Sequence, residues 1–281
     1  MEKYCDLHTH SSASDGTEPP AKVPRAALKA GLSAVALTDH NTVEGLLSFR
    51  SEAEKLGIEP VCGTEFTCDY NGTELHLLGL FLKEEHFGSV SELLMDVRKR
   101  KERSNEALAE SLRNAGYDID YEKIKASAGD YVNRAHFATE MMEKGYADTM
   151  EEAMKKYLSP EAGHYIPPVK LKALDVISFI RELGAVPVLA HPFLNLSEKQ
   201  LLELIPDARR AGLCGMETDY SEYSDKTTAL AREIADREGL LRSGGSDWHG
   251  KRKPHIAIGK GTGNLAIPYS YFEKLRDMAK K

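Results

Sequence analysis

Nine side chains able to hold metal ions recur in short polar clusters along the 281-residue chain. The densest is His8-Thr9-His10, followed by Asp15-Gly16, directly after the run Tyr4-Cys5-Asp6-Leu7. Successive side chains of a strand alternate faces, so His8 and His10 project to one side while Leu7 and Thr9 point elsewhere. Gly16 permits a sharp turn that brings the Asp15 carboxylate back over the strand end. A mixed nitrogen and oxygen set of this kind suits Zn, Mn or Fe better than Ca. His-x-His also arises by chance, so the rest of the chain has to supply partners.

The elements that would position these groups follow from the hydrophobic pattern. Residues 19–30 predict a helix with proline at its start and Gly31 as its stop. Residues 33–38 predict a buried strand ending in Asp39-His40-Asn41, residues 42–56 a helix, and residues 58–63 a strand ending in Thr64-Glu65. This β-α-β-α-β order implies parallel strands joined by crossovers. Residues 66–70 and 73–82 flank Asn71-Gly72 and predict a hairpin, with His76 in its second arm. Helical patterns then fill 89–115, 121–128, 134–144 and 150–158, an all-helical insertion closed by Pro167-Pro168. Alternation resumes with a helix at 171–183, a strand at 186–190 ending in His191-Pro192, a helix at 198–211, a strand at 213–218, a helix at 226–238 and a strand at 240–245 before Ser246-Asp247-Trp248-His249. The expected organisation is therefore a split α/β domain, residues 1–86 and 169–281, carrying a helical insertion at 87–168.

In such architectures functional groups gather where parallel strands end, because those loops share one face of the sheet or barrel. Strand ends here deliver His8, His10, Asp15, His40, Glu65, His191, Asp247 and His249, and the hairpin adds His76. Nine donors exceed the three or four protein groups that one tetrahedral zinc takes. Carboxylates such as Asp15 and Glu65 bridge ions, so two or three divalent ions fit better. Clusters of that kind activate water and clamp phosphoryl oxygens during in-line displacement.

In the combination of these motifs the sequence resembles the PHP (polymerase and histidinol phosphatase) family. The resemblance rests on His8-Thr9-His10 with Asp15-Gly16, Thr38-Asp39-His40, Gly63-Thr64-Glu65, His76, His191-Pro192 and Asp247-Trp248-His249, and it covers nearly the whole chain. It implies a distorted (β/α)7 barrel and a two- or three-metal centre, manganese foremost with zinc or iron as alternatives, that hydrolyses phosphate esters. No metal position of the family is missing. Chain length and helical insertion are similar to the stand-alone phosphoesterases that include nucleoside 3',5'-bisphosphate phosphatase.

Arg98-Lys99-Arg100-Lys101-Glu102-Arg103 opens the insertion, and Arg100 and Arg103 share a helix face. A solvated charged helix explains such a run equally well. A second basic group, Asn133-Arg134-Ala135-His136, begins a later helix. Arginine forks bind phosphate through paired hydrogen bonds. Resemblance to bisphosphate phosphatases implies that Arg100, Arg103 and Arg134, with His136 beside them, hold a phosphate that is not cleaved. The expected reaction is attack of a metal-activated hydroxide on a phosphate monoester of a small nucleotide, with Asp15, Asp39 or His249 passing protons. Opening of a cyclic phosphate on the same metals is a second reading, and a non-catalytic metal-binding regulatory module a third.

Composition bounds the remaining classes. Lysine and arginine number 37 against 44 acids, a net charge of -7 that argues against broad nucleic-acid binding. The expected partner is a small phosphorylated molecule, with no polymeric nucleic acid required. Four scattered cysteines, Cys5, Cys62, Cys68 and Cys214, form no Cys-x-x-Cys pair and predict reduced thiols. No apolar run reaches the roughly 18 residues of a membrane span, and the reading is a cytoplasmic protein. Gly259-Lys260-Gly261-Thr262-Gly263 lacks the spacing of a phosphate loop and predicts a turn. Tyr220 and Tyr223 are expected in a surface loop. His86, His164 and His255 fall outside the pattern.

Overall fold

The apolar runs assemble into a sheet of eight strands in the computed structural model, which describes residues 2–128 and 132–280. In chain order these are β1 (Cys5–Asp6), β2 (Ala34–Leu37), β3 (Glu59–Tyr70), β4 (Thr73–Leu80), β5 (Leu171–Lys172), β6 (Val186–Leu189), β7 (Gly215–Tyr220) and β8 (Leu241–Gly245). Seven follow one path, β1-β2-β3-β4-β6-β7-β8, while β5 pairs beside β3. The path closes on itself: Leu7 N donates to Gly244 O at 3.1 Å and Asp247 N to His8 O at 2.9 Å. The fold is the distorted seven-stranded α/β barrel expected.

Closure needs the Gly244-Gly245 pair, since a Cβ on Gly245 would stand 2.2 Å from the His8 Cβ. Asp6, fully buried, staples the seam. Its Oδ1 accepts from Ser246 N at 2.9 Å and its Oδ2 from Ser246 Oγ and Gly259 N at 2.6 and 2.7 Å. The Gly259–Gly263 stretch is thus a turn whose first amide serves this staple.

The distortion sits at the hairpin. No helix separates β3 from β4, which is antiparallel to both β3 and β6. Asn71 and Gly72 both have positive φ, as a two-residue turn between twisted strands requires. The expected break between residues 63 and 66 does not occur, because β3 runs unbroken for 12 residues past the rim of the barrel. Its parallel pairing with β2 ends at Cys62, so Glu65 still lies level with the ends of the parallel strands.

Helices α1 (Val23–Lys29), α2 (Leu46–Leu56), α7 (Ala173–Glu182), α8 (Glu198–Ala211) and α9 (Asp225–Arg237) follow the strands. Helix α2 begins four residues later than read, after Asn41 in the left-handed region. Ser197 caps α8 through a reciprocal box with Gln200, and Gly212 ends it at positive φ. A further helix, α10 (Tyr269–Ala279), is absent from the sequence reading. It lays Tyr271, Phe272 and Leu275 into the core formed by Cys5, Leu7, Ala34, Val61, Leu80 and Val186. On one sheet face, Glu65 continues the alternation of Val61 and His76 that of Leu78 and Leu80, so both stand on the core-facing side, beyond the apolar layer.

Residues 1–92 with 170–281 form one compact unit and residues 93–169 another. The second holds most of α3 (Phe87–Asn114) with α4 (Tyr121–Ala128), α5 (Arg134–Glu143) and α6 (Met150–Lys156). Its own core is built from Leu108, Leu112, Ile124, Phe137, Met141 and Leu158. Among the described residues no helix is long and apolar enough to cross a membrane. All four cysteines are free thiols, three of them buried.

Candidate metal centre

Glu65 occupies the middle of the barrel rim and faces five imidazoles. One carboxylate oxygen lies 3.1 Å from His8 Nε2, 3.2 Å from His10 Nε2 and 3.1 Å from His40 Nδ1. The other lies 2.8 Å from His76 Nδ1 and 3.0 Å from His191 Nε2. Asp247 Oδ1 is 3.1 Å from His10 Nε2 and 3.4 Å from His249 Nδ1, and Asp15 Oδ1 is 3.1 Å from His249 Nε2. All nine residues singled out as ligands from the sequence meet in this one cluster.

The backbone is bent to deliver them. Asn41, His191 and Asp247 all take positive φ, unusual outside glycine, at or beside three of the strand ends. His191 is held there by its own amide, which donates to Glu217 Oε2 at 2.7 Å.

Electrostatics follow from burial against pairing. Burial disfavours charge on Glu65 and Asp247, but the imidazoles around them hold both carboxyls well below the usual range. Asp15 is lowered as well, by its hydrogen bond to His249 against the cost of burial. His10 is raised to about 9 and His76 to about 10, because the facing carboxylates outweigh burial. Burial dominates at His40, which falls to about 3.

The donor set fits divalent cations. His8 Nε2 and His10 Nε2 point at each other across 3.0 Å, a separation at which two lone pairs repel unless a cation or proton lies between them. Among the described residues, buried His10 Nδ1 and His191 Nδ1 have no hydrogen-bond partner. Four overlapping groups bring their donor atoms within ligand range of one another: His10, Asp15, His40 and His249; His8, His191 and Glu217; His8, His10 and Glu65; and His40, Glu65 and His76. Imidazole and carboxylate together match Mn, Zn or Fe.

Glu217, in the middle of β7, escaped the sequence reading. Its Oε1 is 3.1 Å from His8 Nδ1 and it is completely buried. Both of its oxygens are engaged, so it buttresses His8 and fixes which ring nitrogen faces Glu65. No local motif marks it; the available signal was an acid inside the expected strand at 213–218. Glu217→Gln should weaken metal affinity about 10- to 100-fold, the usual cost of losing a carboxylate behind a ligating imidazole. Calorimetric titration with Mn2+ reads this directly, and wild-type affinity in the folded variant would remove Glu217 from the role.

Other expectations change. Asp39, read as a proton carrier, accepts from Ser11 N at 2.7 Å and from the hydroxyls of Ser11 and Ser14 at 2.5 Å. Both its oxygens are committed to shaping the loop after His10, and it stands outside the ligand groups. Tyr220 and Tyr223 are buried rather than in a surface loop. The Tyr220 hydroxyl donates to Asp247 Oδ2 at 2.9 Å, and Lys253 Nζ reaches the same oxygen at 2.7 Å. Those two leave Oδ1 to face the imidazoles.

The basic residues belong to the helical unit. Arg100 pairs with Asp96 at 2.5 Å, and Arg103 is exposed. Arg134 donates to Leu158 O at 3.1 Å and lies over the Tyr165 ring. His136 Nδ1 accepts from Asn133 N in a capping box at the start of α5, a structural task that the sequence reading did not assign to it. His164 pairs with Ser111.

Comparison with known proteins agrees with the geometry. A 5'-3' exoribonuclease of Haemophilus influenzae is 31% identical over 89% of this chain and 91% of its own length. A phosphoribosyl 1,2-cyclic phosphate 1,2-diphosphodiesterase of Eggerthella lenta is 30% identical over 90% and 97%. A 3',5'-nucleoside bisphosphate phosphatase of Chromobacterium violaceum is 30% identical over 87% and 86%. A solved Bifidobacterium adolescentis structure, provisionally described as a metal-dependent phosphoesterase, superposes with a TM-score of 0.80 at 28% identity, covering 98% of this chain and 96% of that one. The PHP domain model matches residues 6–163, where six of the nine clustered donors lie, and the chain belongs to the PHP domain family of metal-dependent phosphoesterases.

Proposed function

We propose that the protein hydrolyses the 3'-phosphoester of a small 5'-phosphorylated nucleoside, with a nucleoside 3',5'-bisphosphate as the leading substrate. The observation that carries phosphoester hydrolysis is Glu65, one carboxylate facing five imidazoles. His8, His10, Asp15, His40, Glu65, His76, His191, Asp247 and His249 would hold two or three divalent ions, manganese foremost. When bound, such ions lower the pKa of water and neutralise charge on phosphoryl oxygens.

The chain's own residues supply position and protons. Glu65 and Asp247, kept ionised, fix the charge of the pocket; Glu217 holds His8 in place, and Tyr220 with Lys253 holds Asp247. Where His249 Nε2 is not taken by an ion, it and Asp15 Oδ1, 3.1 Å apart, form a pair that can pass a proton to a leaving alkoxide. Arg100, Arg103 and Arg134 are proposed to anchor the phosphate that is not cleaved.

A second reading has its own support. The names of the Haemophilus and Chromobacterium relatives share a chemistry, since a 5'-phosphorylated RNA end and a nucleoside 3',5'-bisphosphate both present a 3'-phosphoester beside a 5'-phosphate. The requirement that no polymer be involved therefore relaxes, and RNA ends become candidate substrates. The Eggerthella relative supports cyclic diesters in the same way.

Phosphate or nucleotide release by Mn2+-loaded protein should be measured on a nucleoside 3',5'-bisphosphate, a cyclic phosphate, a 5'-phosphorylated oligoribonucleotide and an aryl monoester. A kcat/KM at least about tenfold higher on the bisphosphate than on the aryl ester is expected, the scale of one additional charge-assisted contact. Arg103→Ala should raise KM for the bisphosphate and leave the aryl ester nearly unchanged. Equal effects on both would take Arg103 out of the anchoring role, and inactivity on all four substrates would end the proposal.

A further inference from the structure

An open groove of about 960 Å³ runs along the outside of the barrel between α1 and the segment after β8. Lys22, Arg25 and Lys29 line one side and Lys251 the other, with half-buried Trp248 between them. Glu18 is the one acid among the lining residues, so the groove carries net positive charge in a chain of net charge -7. Lys22, Arg25 and Lys29 are three and four residues apart and form one stripe about 10 Å long. Lys22 and Arg25 are both more than 60% exposed, although Glu18 and Glu52 approach them.

The groove adjoins the ion-binding rim through the backbone of the segment after β8. Trp248 sits between Asp247 and His249 in sequence, and its carbonyl accepts from His10 N at 2.9 Å. Thr17 N donates to His249 O at 3.1 Å, and Thr17 Oγ1 accepts from Lys251 N at 2.8 Å. A chain that leaves the metal centre and crosses this edge to the outer face would meet an aromatic ring and then a row of cations.

We propose that this juxtaposition of Trp248 with Lys22, Arg25, Lys29 and Lys251 is a binding tract for single-stranded RNA on the 3' side of the scissile phosphate. An aromatic face beside a cationic track is the arrangement that binds single strands without reading sequence, because every base stacks and every linkage is anionic. None of the proposed ion ligands lines the groove, so a mononucleotide held at the ions need not touch it. The proposal rests on the reading that 5'-phosphorylated RNA ends are substrates, and it makes polymer length, not base identity, the property sensed here.

Trp248 is the sole tryptophan, so tryptophan fluorescence is a local probe of this edge. In the Mn2+-loaded protein, a short 5'-phosphorylated oligouridylate with phosphorothioate linkages should quench it, while a uridine 3',5'-bisphosphate should not. The triple substitution Lys22→Ala, Lys29→Ala and Lys251→Ala should raise KM for the cleavable oligonucleotide about tenfold or more and flatten its salt dependence by about two in log-log slope, three cations at roughly 0.7 each. KM for the bisphosphate should stay within about twofold. An unchanged oligonucleotide KM, or equal changes for both substrates, overturns the tract while leaving the hydrolytic reading intact. If wild-type protein cleaves the bisphosphate but not the oligonucleotide, the RNA reading fails on its own, and absence of quenching then removes the groove as well.

Discussion

Glu65→Gln is expected to empty the metal centre and to lower kcat/KM by about 10³-fold or more, the scale of removing a principal electrostatic contributor from an active site. The substitution preserves size but replaces a buried anion with a neutral amide. Each of its oxygens faces more than one imidazole, so the variant loses charge toward His8, His10, His40, His76 and His191 together. The amide nitrogen is also a donor, and it would aim at ring nitrogens whose lone pairs are needed for ions. Elemental analysis after saturation with Mn2+ and gel filtration should find substantially less than wild-type content, with turnover falling in parallel. Circular dichroism separates this outcome from simple unfolding. Wild-type turnover by metal-depleted Glu65→Gln protein would contradict the metal-dependent scheme at its centre.

What could be read from sequence here depended on whether a residue's role is local. His8, His10, His40, His191, Asp247 and His249 each follow a strand, and that position alone predicts which face of a barrel they share. Glu65 was found for a reason only partly right, since β3 does not end there but continues into the hairpin. Its functional level is set by where β2 stops pairing, which is a tertiary fact. Glu217 and Asp39 show the limit. Both are buried acids, and their identity gives no clue that one braces His8 from β7 while the other is consumed by Ser11 and Ser14. Tyr220 likewise follows no motif; it is placed by β7 against Asp247. The helix α10 left a weak trace, Pro268 followed by apolar residues at 271, 272 and 275, and only its docking on the barrel core makes it cohesive.

Removing metal should leave a folded protein whose stability has a different pH dependence from the loaded one. In the metal-free protein His10 and His76 have pKa values near 9 and 10, above about 6.5 for an unfolded imidazole, and His8 is raised too. A raised imidazole contributes stability fully below pH 6.5 and loses it as pH climbs to about 10. Asp15, Glu65 and Asp247 are depressed, so their contribution is present above about pH 4 and lost in acid. His40, depressed to about 3, must be neutral in the folded state and adds to the acid loss below pH 6.5. The metal-free melting temperature should therefore peak near pH 6 to 7 and fall toward pH 10. Divalent ions bind the same nitrogens only after their protons leave, so binding releases protons and strengthens as pH rises. At a hundredfold excess over Kd one ion adds about 2.7 kcal/mol, which for a chain of this size is about 5 °C or more in Tm, and the increment should grow between pH 6 and 9. Titration of Mn2+ in two buffers of unlike ionisation heat counts the protons released, and more than one is expected at pH 7. A metal increment that is flat with pH, with no proton release, would mean that the ions bind somewhere other than among these imidazoles.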